Sequence, residues 1–120
     1  MIFFDRSIPR PVADAFKQER KDVVWLSKGT PDTQWLRKAG AKGWLVISRD
    51  KRIRIRPGEK SEILDNNVGC FILASKKNMA KEEMIDLIRA TLPTMERLFS
   101  VTPRPFIFTI DSRGQFRQYV

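Results

Sequence analysis

The chain has 120 residues, 42% hydrophobic and 31% charged, the balance of a soluble folded domain rather than a disordered segment. It has no histidine and one cysteine, Cys70, which excludes Ser-His-Asp triads, Cys-His dyads, histidine- or thiolate-bound zinc and an intrachain disulfide. Its 23 basic residues exceed its 14 acidic ones to give +9, and residues 1–60 carry 15 basic against 7 acidic residues, a bias towards a polyanionic partner.

In chain order, Ile2-Phe3-Phe4 reads as a strand. Ile8, Val12, Ala15 and Phe16 recur at helical spacing, with Pro9 and Pro11 at the helix start, where a missing N–H costs little. Val23-Val24-Trp25-Leu26 is a second strand. Thr30-Pro31-Asp32 reads as an N-cap, a first-turn proline and a first-turn acid, opening a helix that carries Trp35, Leu36 and Ala39 inward and stops around Gly40 and Gly43. Trp44 to Ile47 is a third strand. The alternating Arg52-Ile53-Arg54-Ile55-Arg56 is broken by Pro57-Gly58, and Ser61 to Asn67 predicts a short helix. Cys70 to Ala74 is a fourth strand and the longest apolar run, too short to span a bilayer. Residues 81–99 place Met84, Leu87, Ile88, Leu92, Met95, Leu98 and Phe99 on one helical face, with Pro93 expected to kink or split it. Phe106 to Ile110 and Phe116 to Val120 flank Asp111-Ser112-Arg113-Gly114 and predict a terminal hairpin.

Strands alternating with helices predict one α/β domain over residues 1–120: a mainly parallel central sheet, helices on both faces in three αβα layers, and a C-terminal β-hairpin. With Asp5 cutting off the first apolar run, no signal peptide is expected and the chain reads as cytoplasmic.

Ligands of open parallel sheets bind beyond the carboxyl ends of the strands. Asp5 directly follows the first strand, Asp32 opens the helix after the second, and Asp50 lies just past the third. Parallel strands would put all three at one edge, whereas Asp14, Asp22, Asp65, Asp86 and Asp111 lack this placement. Three converging carboxylates without histidine suit a hard cation, Mg²⁺ or Mn²⁺, and phosphodiester hydrolysis. Each has a plainer role on its own: Asp5 in a turn, Asp32 at a positive helix end, Asp50 beside Arg49 or Lys51. Arg49, Lys51, Arg52, Arg54, Arg56 and Lys60 crowd around Asp50, and Lys76 and Lys77 follow the fourth strand, a distribution suited to phosphates. The alternating basic segment equally fits an ordinary strand with a solvated face. Trp25, Trp35 and Trp44 read as core residues rather than base-stacking platforms.

Phe3-Phe4-Asp5-Arg6-Ser7-Ile8-Pro9 resembles the F-D-E-N-L-P opening of a PIN-like domain group. Pro31-Asp32-Thr33-Gln34-Trp35-Leu36 resembles its D-E-E-I/W-L stretch, and Trp44-Leu45-Val46-Ile47-Ser48-Arg49-Asp50-Lys51 its V-L-V-T-R-D-K strand end. The order and spacing resemble the VapC-like branch of PIN-domain ribonucleases, with Ser7 where the group usually has Asn. The resemblance implies a metal-dependent endoribonuclease and the toxin of a type II toxin–antitoxin pair. Its metal and catalytic residues would be Asp5, Asp32 and Asp50, and its cofactor Mg²⁺ or Mn²⁺. Arg6, Arg49, Lys51, Arg52, Arg54 and Lys76 would contact RNA. The implied partners are RNA, a cognate antitoxin protein and a second copy in a homodimer, with no membrane. A catalytically inert PIN-like RNA-binding module and a basic protein-interaction domain stay open as alternatives.

Overall fold

The computed structural model describes residues 1–5, 7–25, 32–49, 57–74 and 79–119, with the backbone alone for residues 32–35, 57 and 59. The elements are β1 (Ile2–Phe4), α1 (Arg10–Glu19), β2 (Val23–Trp25), α2 (Asp32–Lys42) and β3 (Leu45–Ser48), then α3 (Pro57–Asp65), β4 (Gly69–Leu73), α4 (Lys81–Val101), β5 (Phe106–Ile110) and β6 (Phe116–Gln118). The strands form one sheet in the order β2-β1-β3-β4-β5-β6. Neighbours from β2 through β5 are parallel, and β6 closes the hairpin antiparallel to β5.

Alternation along the strands builds two cores. Ile2, Phe4, Leu45, Ile47, Phe71, Leu73, Phe106, Phe108 and Ile110 face α1 and α4, which bring Val12, Ala13, Phe16, Met84, Ile88, Leu92 and Met95. Phe3, Val46, Cys70, Ile72 and Ile107 face α2 and α3, which bring Leu36, Ala39 and Ile63. Each fully buried large side chain contributes about 1.5–3 kcal/mol of transfer free energy. Phe71 anchors the first core, stacked on Phe108 at 5.6 Å and edge-on to Phe106 at 5.4 Å. The expected three layers and terminal hairpin are present. In the hairpin turn, Asp111 Oδ1 accepts hydrogen bonds from the backbone N–H groups of Arg113 and Gln115.

The crossovers to β2, β3 and β4 share one hand, but that through α4 has the other. It runs away from β1 like α2 and α3, yet α4 lies on the face of α1. Sheet crossovers strongly prefer one hand, and the exception has a packing reason. No helix follows β5 among the described residues, so α1 alone would leave Phe71, Phe106 and Phe108 uncovered; the 21 residues of α4 cover them.

Two local expectations are corrected, the bounds of α3 and the split at Pro93. Pro57 and Gly58 start α3, because proline fits the first helical position, where its missing N–H has no intrahelical partner. The helix therefore spans Pro57–Asp65 and not Ser61 to Asn67. Pro93 does not split α4, which runs unbroken from Lys81 to Val101: it lies on the exposed side, where the carbonyl it fails to satisfy can be hydrated. As expected, α2 stops at its glycines: it runs through Gly40 and ends at Lys42, followed by Gly43 at φ +66°. The alternating segment Arg52 to Arg56 lies outside the described residues, and Val120 lies beyond them after β6.

Gly40 is needed inside α2 because α3 passes close by. A Cβ there would sit 1.7 Å from the backbone oxygen of Asn66. Gly58, in the first turn of α3, has nothing within 4 Å of the same position. Gly40→Ala should therefore lower stability by about 1–3 kcal/mol or more through overpacking. Gly58→Ala should be neutral or stabilising by up to about 1 kcal/mol. Urea unfolding of both variants checks the pair, and equal effects would contradict the α2–α3 contact.

Candidate active site

The strand order reverses around β1: the chain steps from β1 to β2 on one side, then crosses back to β3 on the other. Such a switch point leaves a crevice at the carboxyl ends of the two strands. Phe4 is in register with Ile47, and the Asp5 N–H continues the ladder by donating to the Ile47 carbonyl at 3.0 Å. Asp5 thereby lies beside Ser48 at the head of the crevice.

Both residues are buried, Asp5 at 5% exposure and Ser48 at 0%. A buried carboxylate needs hydrogen-bond donors, and here they are hydroxyls. Ser7 Oγ donates to Asp5 Oδ2 at 2.7 Å and Ser48 Oγ donates to the same oxygen at 2.9 Å. The two hydroxyl oxygens are 3.2 Å apart. Ser7 Oγ also accepts from the backbone N–H of Arg49 at 2.9 Å, joining the loop after β1 to the end of β3. Among the described residues, no hydrogen bond reaches Asp5 Oδ1.

The loop is held from both sides. The Ile8 N–H donates to the Asp5 carbonyl at 2.8 Å, and Trp25 Nε1, at the end of β2, donates to the Ile8 carbonyl at 2.9 Å. Trp25 and Trp44 are partly buried against the two cores, and Trp44 stacks on Phe3 at 5.8 Å, in keeping with their reading as core residues. The side chain of Trp35 is not described.

Asp5 and Arg49 are the predicted site residues whose side chains the structure describes. Asp32 is the first residue of α2, which packs on the face shared by Phe3 and Val46. By strand alternation Asp5 is one step beyond Phe3 on that same face, and α2 follows the carboxyl end of β2. The backbone thus places Asp5 and Asp32 at one sheet edge and on one face. The side chain of Asp32 is not described, and Arg6, Asp50, Lys51, Arg52, Arg54 and Lys76 lie outside the described residues. Among the described residues, no three His, Cys, Asp or Glu side chains gather into a metal-binding group.

The donor set around Asp5 suits a hard cation: a buried carboxylate flanked by hydroxyls, with no imidazole in the chain. Sequence reasoning gave no site role to Ser7 or Ser48. Ser48 was detectable as a polar residue ending an apolar strand in parallel register with the first, and Ser7 as a hydroxyl two residues past the acid.

Cys70 lies on the same face of the sheet, fully buried beside Val46 and Ile72. Burial, and then the nearby Asp5 charge, push its thiol well above the ordinary cysteine range. The neutral form is favoured and the thiol belongs to the core. Iodoacetamide at pH 8 should modify Cys70 only as fast as the chain unfolds. Mass spectrometry with and without denaturant measures this, and equal rates would contradict the burial.

No helix among the described residues is long and apolar enough to cross a membrane. A protein-family model described as a PIN like domain matches residues 1–75. No curated protein and no solved structure matches the chain.

Proposed function

The chain belongs to the PIN-like domain family, and from that premise we propose that it is a Mg²⁺- or Mn²⁺-dependent endoribonuclease, the toxin of a type II toxin–antitoxin pair. The observation that carries the reading is Asp5: a buried carboxylate at the switch point between β1 and β3, held by two hydroxyls on one oxygen. Burying a carboxylate costs several kcal/mol unless its charge is used or compensated, and a purely structural residue at this position would not need the charge.

Asp5, Asp32 and Asp50 would hold the cation. A bound Mg²⁺ or Mn²⁺ would supply Lewis-acid activation of water and neutralise charge on the phosphate. The protein's share is positioning. The parallel register fixes Asp5 against Ser48, and the link from Ser7 to Arg49 holds the two strand ends together. The first turn of α2 adds its positive end and Asp32 on the same face. Arg6, Arg49, Lys51, Arg52, Arg54 and Lys76 would bind the RNA backbone, giving salt-dependent affinity. An antitoxin protein and a second copy of the chain are the proposed protein partners, and the cytoplasm the proposed compartment.

Purified protein should cleave total RNA with Mn²⁺ and stop when the ion is chelated. Asp5→Asn, which keeps the shape of the side chain, should abolish cleavage while circular dichroism remains that of the wild type. Asp50→Asn should do the same. Full cleavage by either variant would refute the metal assignment. Salt-sensitive RNA binding that ignores chelator, with no cleavage, would assign the chain to the non-catalytic alternative.

A further inference from the structure

We propose that Ser7 is a positioning residue: together with Ser48 it occupies Oδ2 of Asp5, so that Oδ1 is the oxygen Asp5 offers to a divalent cation. The inference rests on the metal-site reading of Asp5.

The geometry is specific to one oxygen. Both hydroxyls donate to Oδ2, at 2.7 and 2.9 Å, and none of the described residues donates to Oδ1. A hydroxyl has one hydrogen to donate, and Ser7 directs it at Asp5. Its lone pairs remain, and one accepts the Arg49 N–H at 2.9 Å. Ser7 is thus oriented by a backbone group that belongs to the end of β3. Ser48 reaches the same oxygen from the strand itself. Two donors arriving from two elements fix the rotation of the carboxyl group about its Cβ–Cγ bond. Free rotation would exchange Oδ1 and Oδ2 and spread the ligand over several orientations.

The arrangement parallels the outer-shell support common around metal-binding carboxylates, whose loss lowers metal affinity about 10–100-fold. Of the two serines, Ser7 is the better probe. It is half-buried and lies in a loop, while Ser48 is fully buried in the sheet. The loop keeps further anchors without it, through the Ile8 N–H and Trp25.

The test is Mn²⁺ binding to the purified full chain without RNA, followed by the electron paramagnetic resonance signal of free Mn²⁺. Wild type should bind and Asp5→Asn should not. Ser7→Ala should bind about tenfold or more weakly, with unchanged circular dichroism. Ser7→Thr, which keeps the hydroxyl, should recover most of the wild-type affinity. Ser48→Ala removes the second donor to Oδ2 and should weaken binding in the same way, which keeps the proposal testable if Ser7→Ala does not fold. Wild-type affinity in both alanine variants, with binding still lost in Asp5→Asn, would overturn the positioning role and leave the metal site standing. Failure of the wild type to bind Mn²⁺ would overturn both.

Discussion

The register of β1 against β3 is the constraint on which the candidate site depends. Phe4 pairs with Ile47, and the Asp5 N–H extends the ladder to the Ile47 carbonyl. Side chains alternate between the sheet faces, so Asp5 and Ser48 both fall on the face of Phe3 and Val46. A slip of one residue would turn Asp5 towards the other face and separate it from Ser48. The slip is resisted by the cores, because it would also exchange Phe3 with Ile2 and Phe4 between two packed layers. Hydrophobic burial, which knows nothing of the site, thus sets the position of its carboxylate.

Strand order adds the opening. Because α1 follows β1 on one face of the sheet and α3 follows β3 on the other, the connections leave the carboxyl ends of these neighbouring strands on opposite faces. The gap between them is where Asp5 sits. Its hydrogen-bond donors among the described residues are uncharged hydroxyls, which stabilise a carboxylate without cancelling its charge, as a lysine or arginine would. That distinction matters for a group proposed to bind a cation. An ion pair would satisfy the burial equally well and leave less attraction for an incoming metal.

The strands were legible because short apolar runs bounded by turn residues leave few alternatives: Ile2 to Phe4, Leu45 to Ile47 and Cys70 to Leu73 read directly as buried strands. The edge position of Asp5 followed from the rule for strand ends, and the start of α2 near Asp32 from the cap pattern Thr30-Pro31-Asp32. Less legible features depend on tertiary contacts. Whether Pro57 ends a segment or begins a helix turns on the backbone after it, and Pro93 is tolerated because of the side of α4 it occupies. The face chosen by α4 depends on what else covers Phe71 and Phe106. Ser7, marked only as standing where the resembling group has Asn, and Ser48 drew no site role because serine carries no distinctive pattern; their distance to Oδ2 distinguishes them.

The two halves of the chain divide the work unevenly. The family match ends at residue 75, just after β4, and contains Asp5, Ser7, Ser48 and Arg49 together with Asp32 and Asp50. The C-terminal elements α4, β5 and β6 supply Met84, Ile88, Phe106 and Phe108 to the core behind β1 and β3. The basic excess is carried by the first half of the chain: +8 over residues 1–60 and +1 over residues 61–120. A basic excess needed for packing would have no reason to share the first half of the chain with Asp5, Asp32 and Asp50. One needed for a polyanion would follow the carboxylates, because phosphate groups must be held beside the atoms that act on them. Beyond Lys76 the second half can then stay nearly neutral, since α4, β5 and β6 supply the core behind β1 and β3.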